Sequence, residues 1–355
     1  MIPTTPYAPF FELTRGNIVE SIHAGAIAVS NPQGELIAWY GDPQVTTFLR
    51  SSAKPFQVLP FVESSGPQAY QLTPRELALM CASHSGTDDH VLIARSIQAK
   101  TGAREEDLLC GVHPLSHKPT VEAMSARGES LTQNRHNCSG KHSGMVAFAR
   151  LLDLPYHLDD HPYIALDHPI QQRILAAFAE MCGLSPEQVQ VGVDGCSAPN
   201  FAVPLQNAAL AFARLCQPDH LPEIRRQACQ AITHAMTSNP DMIGGPDSFD
   251  THLMQVTGGK LVCKGGAEGY QALGLLPGAT GAGSPGLGIV FKVADGDQRG
   301  TVRPAVTLEI LRQLGAITAS ELQALAKFGP TLPIYNFRKI HVGDARPSFT
   351  LHRSG

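Results

Sequence analysis

A serine and a lysine lie three residues apart in the stretch RSSAKPFQ, as Ser51 and Lys54. Pro55 follows the lysine, and proline fits only the first turn of a helix, so we expect a helix to begin near Ser51. Side chains three residues apart in that turn share a face. A desolvated lysine can act as the base for a serine nucleophile, which allows acyl transfer without histidine. The alternative is that a serine caps the helix and Lys54 is solvated.

Three further glycine-rich stretches carry side chains of the same kinds. CASHSG contains Ser83, HNCSGKHSG contains Cys138, and CKGGAEG contains Lys264 in a predicted strand. Glycines let a substrate approach the backbone closely. Each stretch alone is typical of a turn, but three such turns with nucleophiles and bases favour an active site. GVDGCSAPNF adds Asp194 and Cys196 directly after a strand, where binding groups often lie.

Two of these residues, Cys138 and Cys196, have two interpretations. Burial as an unreactive thiol is the commonest state of a free cysteine. Alternatively, both are thiolate ligands of a zinc ion, with His136 or His142 nearby. Long-range cysteine pairs have no fixed spacing, so the sequence alone leaves both interpretations open.

The elements that must position these side chains follow the order strands, helices, strands, helices. The first forty residues contain strand-like runs, residues 51 to about 180 have helical periodicity, and residues 260–295 alternate short apolar runs with glycine. This order predicts an α/β (α+β) fold, with an antiparallel or mixed sheet built from both chain ends and flanked by helices. We expect a single catalytic unit over residues 1–355, with a mainly helical region at about 55–185 between the sheet segments.

Composition excludes several classes of partner. The 355 residues carry a formal net charge of −4, which argues against nucleic acid or anionic lipid. No apolar run approaches the length of a membrane span. The first residues lack the basic and apolar regions of a signal peptide, which predicts a cytoplasmic protein whose eight cysteines stay reduced.

The motifs, taken together, resemble those of the L-asparaginase II family, the rhizobial-type amidohydrolases. The stretches that carry the resemblance, in order, are RSSAKPFQ, CASHSG, HNCSGKHSGM, VDGCSAPNF, KGGAEG and KVADGDQR. It extends from about Phe11 to Val342. The resemblance implies a fold like that of serine β-lactamases, in which Lys264-Gly265-Gly266 is similar to the K-T-G motif.

The resemblance also implies catalytic roles. Ser51 matches the family's nucleophilic serine, and Lys54 matches the base on the same helix. Ser83 matches a second active-site serine, and Lys264 matches the lysine paired with it.

Binding residues and a metal site follow from the same resemblance. Arg50 and Asp194 match polar residues that line the site. Cys138, Lys141 and Cys196 match the family's metal ligands, which implies one zinc ion per chain. A lysine ligand must be neutral to bind a metal. A homodimer is also expected.

The implied reaction is the hydrolysis of L-asparagine to L-aspartate and ammonia by a lysine-activated serine. Two alternatives stay open. One is a penicillin-recognising or peptidase-type serine acyltransferase, which shares the order of motifs. The other is a non-catalytic metal-binding protein in which the cysteines matter and Ser51 does not. If the protein hydrolyses asparagine, its partner is the small-molecule substrate L-asparagine, and we expect neither nucleic acid nor a membrane to be involved.

Overall fold

The computed structural model describes residues 5–354 of the chain. Its strands are β1 (Ala8–Arg15), β2 (Ile18–Ser30), β3 (Leu36–Tyr40), β4 (Thr46–Phe48), β5 (Gln190–Val193), β6 (Pro199–Pro204), β7 (Leu261–Gly265), β8 (Tyr270–Leu275), β9 (Leu287–Val293), β10 (Leu332–Tyr335), β11 (His341–Pro347) and β12 (His352–Arg353). Its α-helices are α1 (Lys54–Glu63), α2 (Gly66–Ala69), α3 (Pro74–Met80), α4 (Asp88–Thr101), α5 (Lys118–Ala126), α6 (Ser139–Leu151), α7 (Pro169–Met181), α8 (Leu205–Cys216), α9 (Glu223–Ser238), α10 (Pro240–Gly244), α11 (Phe249–Val256), α12 (Val302–Gln313) and α13 (Ala319–Ala324).

The chain divides into two compact units. The first unit comprises residues up to 49, residues 203–217 and residues from 253 onward. The second unit comprises residues 50–202 and 218–252, and it contains helices α1 to α7 together with α9 and α10.

An antiparallel sheet forms the first unit. Its strand order is β10-β11-β1-β2-β9-β8-β7, with β3 also paired to β2 and β12 paired to β3. In the central pair, Gly25 of β2 lies opposite Val293 of β9. Strands from both ends of the chain therefore meet in one sheet, which confirms this part of the predicted fold.

Helix α8 packs directly on the strands β2, β8 and β9 of this sheet. The approach is close because Gly288 on β9 has no side chain: a Cβ atom there would lie 1.7 Å from the carbonyl oxygen of Ala209. Helix α8 is not among the elements predicted from the sequence, although its apolar residues recur with helical spacing along the side that faces the strands.

Helices α1, α3, α6, α7 and α9 form the core of the second unit. Helix α1 packs against α6, α7 and α9, and α3 packs against α4, α6 and α9. Fully buried aromatic rings join them, with Phe56 against Phe178 and Phe61 against Phe148. Strands β5 and β6 form an antiparallel hairpin in the same unit. The candidate site lies at the end of the unit where α1 begins.

Two further properties concern the cysteines and the length of the helices. All eight cysteines are buried and free. In the portion from residue 5 to residue 354, none of the helices has both the length and the apolar character needed to span a bilayer.

Candidate active site

The residues before α1 have an unusual backbone. A 3₁₀ turn covers Arg50–Ala53 and leads into α1 at Lys54, with Pro55 in its first turn as predicted. Arg50, directly before Ser51, has a φ of 52°, in the left-handed region that side chains other than glycine rarely adopt. Ser51 itself is half-buried. Neither serine caps α1, because no side-chain hydrogen bond closes its first turn.

Lys54 is almost completely buried, with 1% of its surface exposed. Its Nζ donates to the carbonyl oxygen of Ala82 at 2.5 Å, to Ser83 Oγ at 2.9 Å and to the carbonyl oxygen of Asn137 at 3.3 Å. The hydroxyl of Ser51 makes no hydrogen bond to Lys54 or to any other residue that the structure describes. The structure therefore brings Lys54 to Ser83 directly, and the desolvation expected of this lysine is present.

Ser51 and Lys54 nevertheless line one small cavity. Its volume is about 10 Å³, which is roughly the space that one water molecule requires. The residues that line it are Arg50, Ser51, Lys54, Gln57, Lys141, Asp194, Pro199 and Asn200. Five of the residues predicted from the sequence thus share one space within the second unit.

Arg50 and Asp194 form an ion pair beside this cavity. Arg50 Nε lies 2.7 Å from Asp194 Oδ1, and the exposed fractions of the two side chains are 26% and 14%. Burial opposes ionisation of the carboxyl group. The hydrogen bond from Arg50 and the charges of Lys141 and Arg50 outweigh it, and the pKa of Asp194 falls to about 2. The site therefore keeps one fixed positive and one fixed negative group at neutral pH.

The loop after β5 holds the other wall of the cavity. Asp194 N donates to the carbonyl oxygen of Ala198 at 2.9 Å, which closes a tight turn around Cys196. Gln57 Nε2 donates to the carbonyl oxygen of Pro199 at 3.1 Å, so α1 and the loop are tied together. Gln57 and Asn200 were not among the predicted site residues. Both lie inside the quoted motifs RSSAKPFQ and VDGCSAPNF, which was the available signal.

The predicted metal residues also come together. Lys141 Nζ donates to Cys196 Sγ at 2.8 Å, and both side chains are buried. A hydrogen bond from Cys196 is the largest cause that lowers the pKa of Cys138 well below its usual value, and Lys54 and Lys141 add to it against the effect of burial. Donation of that bond, together with burial, raises the pKa of Cys196. Burial alone would lower the pKa of Lys141, but the neighbouring sulfurs raise it overall. The directions of these shifts favour a thiolate at Cys138 beside an ammonium group at Lys141.

The donor chemistry of this cluster suits zinc, which binds thiolate sulfur and imidazole nitrogen. The buried Nε2 of His142 has no hydrogen-bond partner, while its Nδ1 contacts the hydroxyl of Tyr163 at 2.6 Å. Among residues 5–354, however, no three histidine, cysteine or acidic side chains are grouped so that they could hold a metal ion. A zinc site with Cys138 and Cys196 would therefore need the amine of Lys141 as a further ligand.

Lys264 belongs to the first unit. It lies on β7 opposite Ala272, has 1% of its surface exposed, and donates from Nζ to the carbonyl oxygen of Gly265 at 2.8 Å. Its position in a strand beside Gly265 and Gly266 agrees with the sequence reading. Its pairing with Ser83 stays a prediction.

With this geometry in place, comparison with known families identifies the chain. The profile of the family described as L-asparaginase II matches residues 11–347. The chain belongs to the L-asparaginase II family. The matched range confirms the resemblance expected from the motifs. Membership of this family supports amidohydrolase activity on side-chain amides of the asparagine or glutamine type.

Comparison with solved structures finds matches that are distant in sequence. One is the Bacillus subtilis glutaminase YbgJ in covalent complex with 5-oxo-L-norleucine, at 11% identity and a TM-score of 0.35, over 81% of this chain and 87% of that one. A probable glutaminase from Bacillus subtilis complexed with 6-diazo-5-oxo-L-norleucine has 12% identity and a TM-score of 0.35, over 77% and 78% of the two chains. Mglu in its native form in 4.3 M NaCl has 14% identity and a TM-score of 0.41, over 84% and 63%. A search of curated proteins finds no sequence that matches the chain.

Proposed function

We propose that this L-asparaginase II family member hydrolyses L-asparagine to L-aspartate and ammonia through an acyl-enzyme on Ser51. The observation that carries the proposal is the convergence of several reactive and charged side chains on the shared cavity. At about 10 Å³, this cavity would have to widen to admit the substrate. It is lined by a half-buried serine without a hydrogen-bond partner, a buried lysine and an ion pair with fixed charges. A small amino acid amide needs these groups: a nucleophile, a proton carrier and partners for its two charged ends.

The ion pair would recognise the backbone end of the substrate. Arg50 offers a guanidinium group to the α-carboxylate, and Asp194 offers a carboxylate to the α-ammonium group. Binding at both charges would orient the side-chain amide toward Ser51. Such positioning turns attack on the amide carbon into an effectively unimolecular step.

Proton transfer would involve Lys54 and Ser83. Lys54 in its neutral amine form would take the proton of Ser51 as Ser51 Oγ bonds to the amide carbon. It would return that proton to the amide nitrogen as the C–N bond breaks and ammonia leaves. Because Lys54 contacts Ser83 Oγ at 2.9 Å, we infer that Ser83 relays protons between the lysine and the reacting groups. Water then cleaves the ester and regenerates Ser51. Lys264 is proposed as the second active-site lysine on the family match alone.

We also propose zinc as a bound metal, one ion per chain, held by Cys138, Lys141 and Cys196. When bound, zinc would supply a Lewis-acidic centre beside the site. The chain's own part is to deliver two sulfurs and one deprotonated amine, which requires Lys141 to lose its proton on binding. The serine β-lactamase-like fold, the homodimer and the cytoplasmic location are likewise proposals.

One assay tests the central proposal. Ammonia release is measured with L-asparagine, L-glutamine, D-asparagine and acetamide, for the wild type and for Ser51→Ala, Ser83→Ala and Ser125→Ala. Ser125 lies exposed on α5 and serves as the matched control. We expect turnover of L-asparagine above the other amides, a loss of several orders of magnitude in kcat for Ser51→Ala, and no loss for Ser125→Ala.

Three outcomes would contradict the proposal. Higher kcat/KM for L-glutamine than for L-asparagine would make the protein a glutaminase. Near-normal turnover by Ser51→Ala, with loss in Ser83→Ala, would move the nucleophile to Ser83. Rapid acylation by a β-lactam probe, without ammonia release from any amide, would favour the serine acyltransferase alternative.

A further inference from the structure

The backbone before Ser51 is held in a strained conformation. Arg50 has a φ of 52°, and residues with side chains populate this region only where the surrounding structure compels it. Ser51 follows directly, so the φ angle of Arg50 helps to set the direction of the Ser51 side chain. Something must therefore stabilise the Arg50 backbone against relaxation.

Asn200 supplies that contact. Its Oδ1 accepts a hydrogen bond from the backbone N of Arg50 at 3.1 Å, across 150 residues of sequence. Asn200 is 5% exposed and lies on β6 opposite Gly192 of β5, so a hairpin fixes its position. The acceptor, Asn200 Oδ1, is thus held in place, and it binds the backbone N–H of Arg50, the residue with the left-handed conformation.

The orientation of the Asn200 amide follows from this bond. Because Oδ1 must be the acceptor, Nδ2 is the remaining group, and it makes no hydrogen bond to any residue between 5 and 354. Asn200 also lines the cavity that contains Ser51. The Asn200 side chain therefore contacts the backbone of Arg50 and also forms part of the wall of the cavity that contains Ser51.

We propose that Asn200 is a positioning residue for the nucleophile. It holds Arg50 in the left-handed conformation and thereby aims Ser51 Oγ into the cavity. Without the acceptor, Arg50 relaxes toward an ordinary backbone conformation and the serine hydroxyl leaves its attacking position. The kinetic part of this inference rests on the proposed amidohydrolase function, whereas the backbone part does not.

The test compares Asn200→Leu, Asn200→Asp and a matched control, Asn134→Leu. Leucine removes the acceptor at similar volume, while aspartate keeps an Oδ1 acceptor. Asn134 is 1% exposed in the same unit and bonds to Gln98, so its loss measures the effect of removing a buried amide elsewhere. The measurements are kcat and KM for L-asparagine, Tm, and hydrogen exchange of the peptide covering residues 48–57.

We expect Asn200→Leu to lose at least about 100-fold in kcat, in keeping with misplacement of a reacting group by about 1 Å. Asn200→Asp should recover at least tenfold of that loss, with a changed KM because it adds a charge to the cavity. Exchange in residues 48–57 should rise in Asn200→Leu and stay near the wild-type rate in Asn200→Asp. Asn134→Leu should lower Tm without lowering kcat.

The proposal is overturned if Asn200→Leu keeps wild-type kcat, if Asn134→Leu loses as much kcat, or if aspartate gives no recovery. Unchanged exchange in residues 48–57 for Asn200→Leu would also overturn it. If the wild type releases no ammonia from any amide, the proposed function fails, and the exchange result alone then decides whether Asn200 holds the Arg50 backbone.

Discussion

Replacement of Lys54 by methionine separates a catalytic role from a structural one. Methionine keeps most of the aliphatic length but removes the ammonium group. The carbonyl groups of Ala82 and Asn137 then lose a donor, at a cost of about 1–3 kcal/mol each where they stay dry. Against this, the folded protein no longer buries an ammonium ion, which carries a desolvation penalty of several kcal/mol.

The two contributions nearly cancel, so we expect a change in the free energy of unfolding within about 2 kcal/mol. That corresponds to a Tm shift of roughly 4–8 °C at most for a unit of this size. Activity should respond far more strongly. Loss of a general acid–base group typically lowers kcat by about 10²–10⁴-fold. Lys54→Met should therefore be a folded but nearly inactive protein.

The assay is steady-state ammonia release from L-asparagine, with thermal unfolding followed by circular dichroism on the same samples. Lys100→Met is the matched control, because Lys100 is a partly exposed lysine of the same unit that bonds to Glu76. We expect it to lose some stability and no kcat. Lys54→Arg keeps the positive charge but cannot give up a proton at neutral pH, so it should be as inactive as Lys54→Met.

Two results would refute this reasoning. A folded Lys54→Met protein with kcat within tenfold of the wild type would mean that the lysine carries no proton in the reaction. An active Lys54→Arg protein would show that positive charge, and not proton transfer, is the contribution of this residue.

Three other predictions follow from the site and its surroundings. Purified protein should contain about one zinc per chain by elemental analysis, and the double variant of Cys138→Ser and Cys196→Ser should contain none. Asp194→Asn should raise KM for L-asparagine by about 10–100-fold, because a hydrogen bond to a charged group contributes about 1.5–3 kcal/mol; an unchanged KM would exclude substrate contact. Glu76 is buried, and although burial raises its pKa, hydrogen bonds from Lys100, Thr73 and Ser96 lower it overall. Because the pKa of Glu76 is lower in the folded than in the unfolded protein, its ionised form stabilises the fold above about pH 4.3, and this stabilisation is lost as the pH falls further. Acid should therefore destabilise Glu76→Gln less than the wild type, as measured by urea titrations between about pH 5 and 3.

Sequence alone determined the features that depend on near neighbours. The helix that begins at Pro74 has a capping box formed by Thr73 and Glu76, with both side-chain bonds present, as the spacing of these two residues in the sequence favours. Gly102 caps the C-terminus of helix α4 with a φ of 72°, a conformation that glycine adopts readily. These outcomes follow because caps and turns are settled within four or five residues, where the side chain and the backbone it bonds are covalently close.

The sequence motifs predicted which residues belong to the site, but they did not predict which of these residues contact each other. The motifs identified Arg50, Ser51, Lys54, Lys141 and Asp194 as chemistry-bearing side chains, and all five line one cavity. The spacing of three residues suggested that the lysine would serve Ser51. In the folded chain its hydroxyl contact is Ser83, a residue 29 positions later.

Only the tertiary structure decided these pairings. Arg50 meets Asp194 across 144 residues, Lys141 meets Cys196 across 55, and Asn200 reaches the backbone of Arg50 across 150. Which side chain fills each contact depends on how α1, α6 and the loop after β5 pack together, because a buried donor must find an acceptor wherever packing places one. Local sequence preferences determine where a helix begins and ends. A buried charged group needs a partner to offset the free energy of its desolvation, and which residue becomes that partner depends on the packing of the whole core.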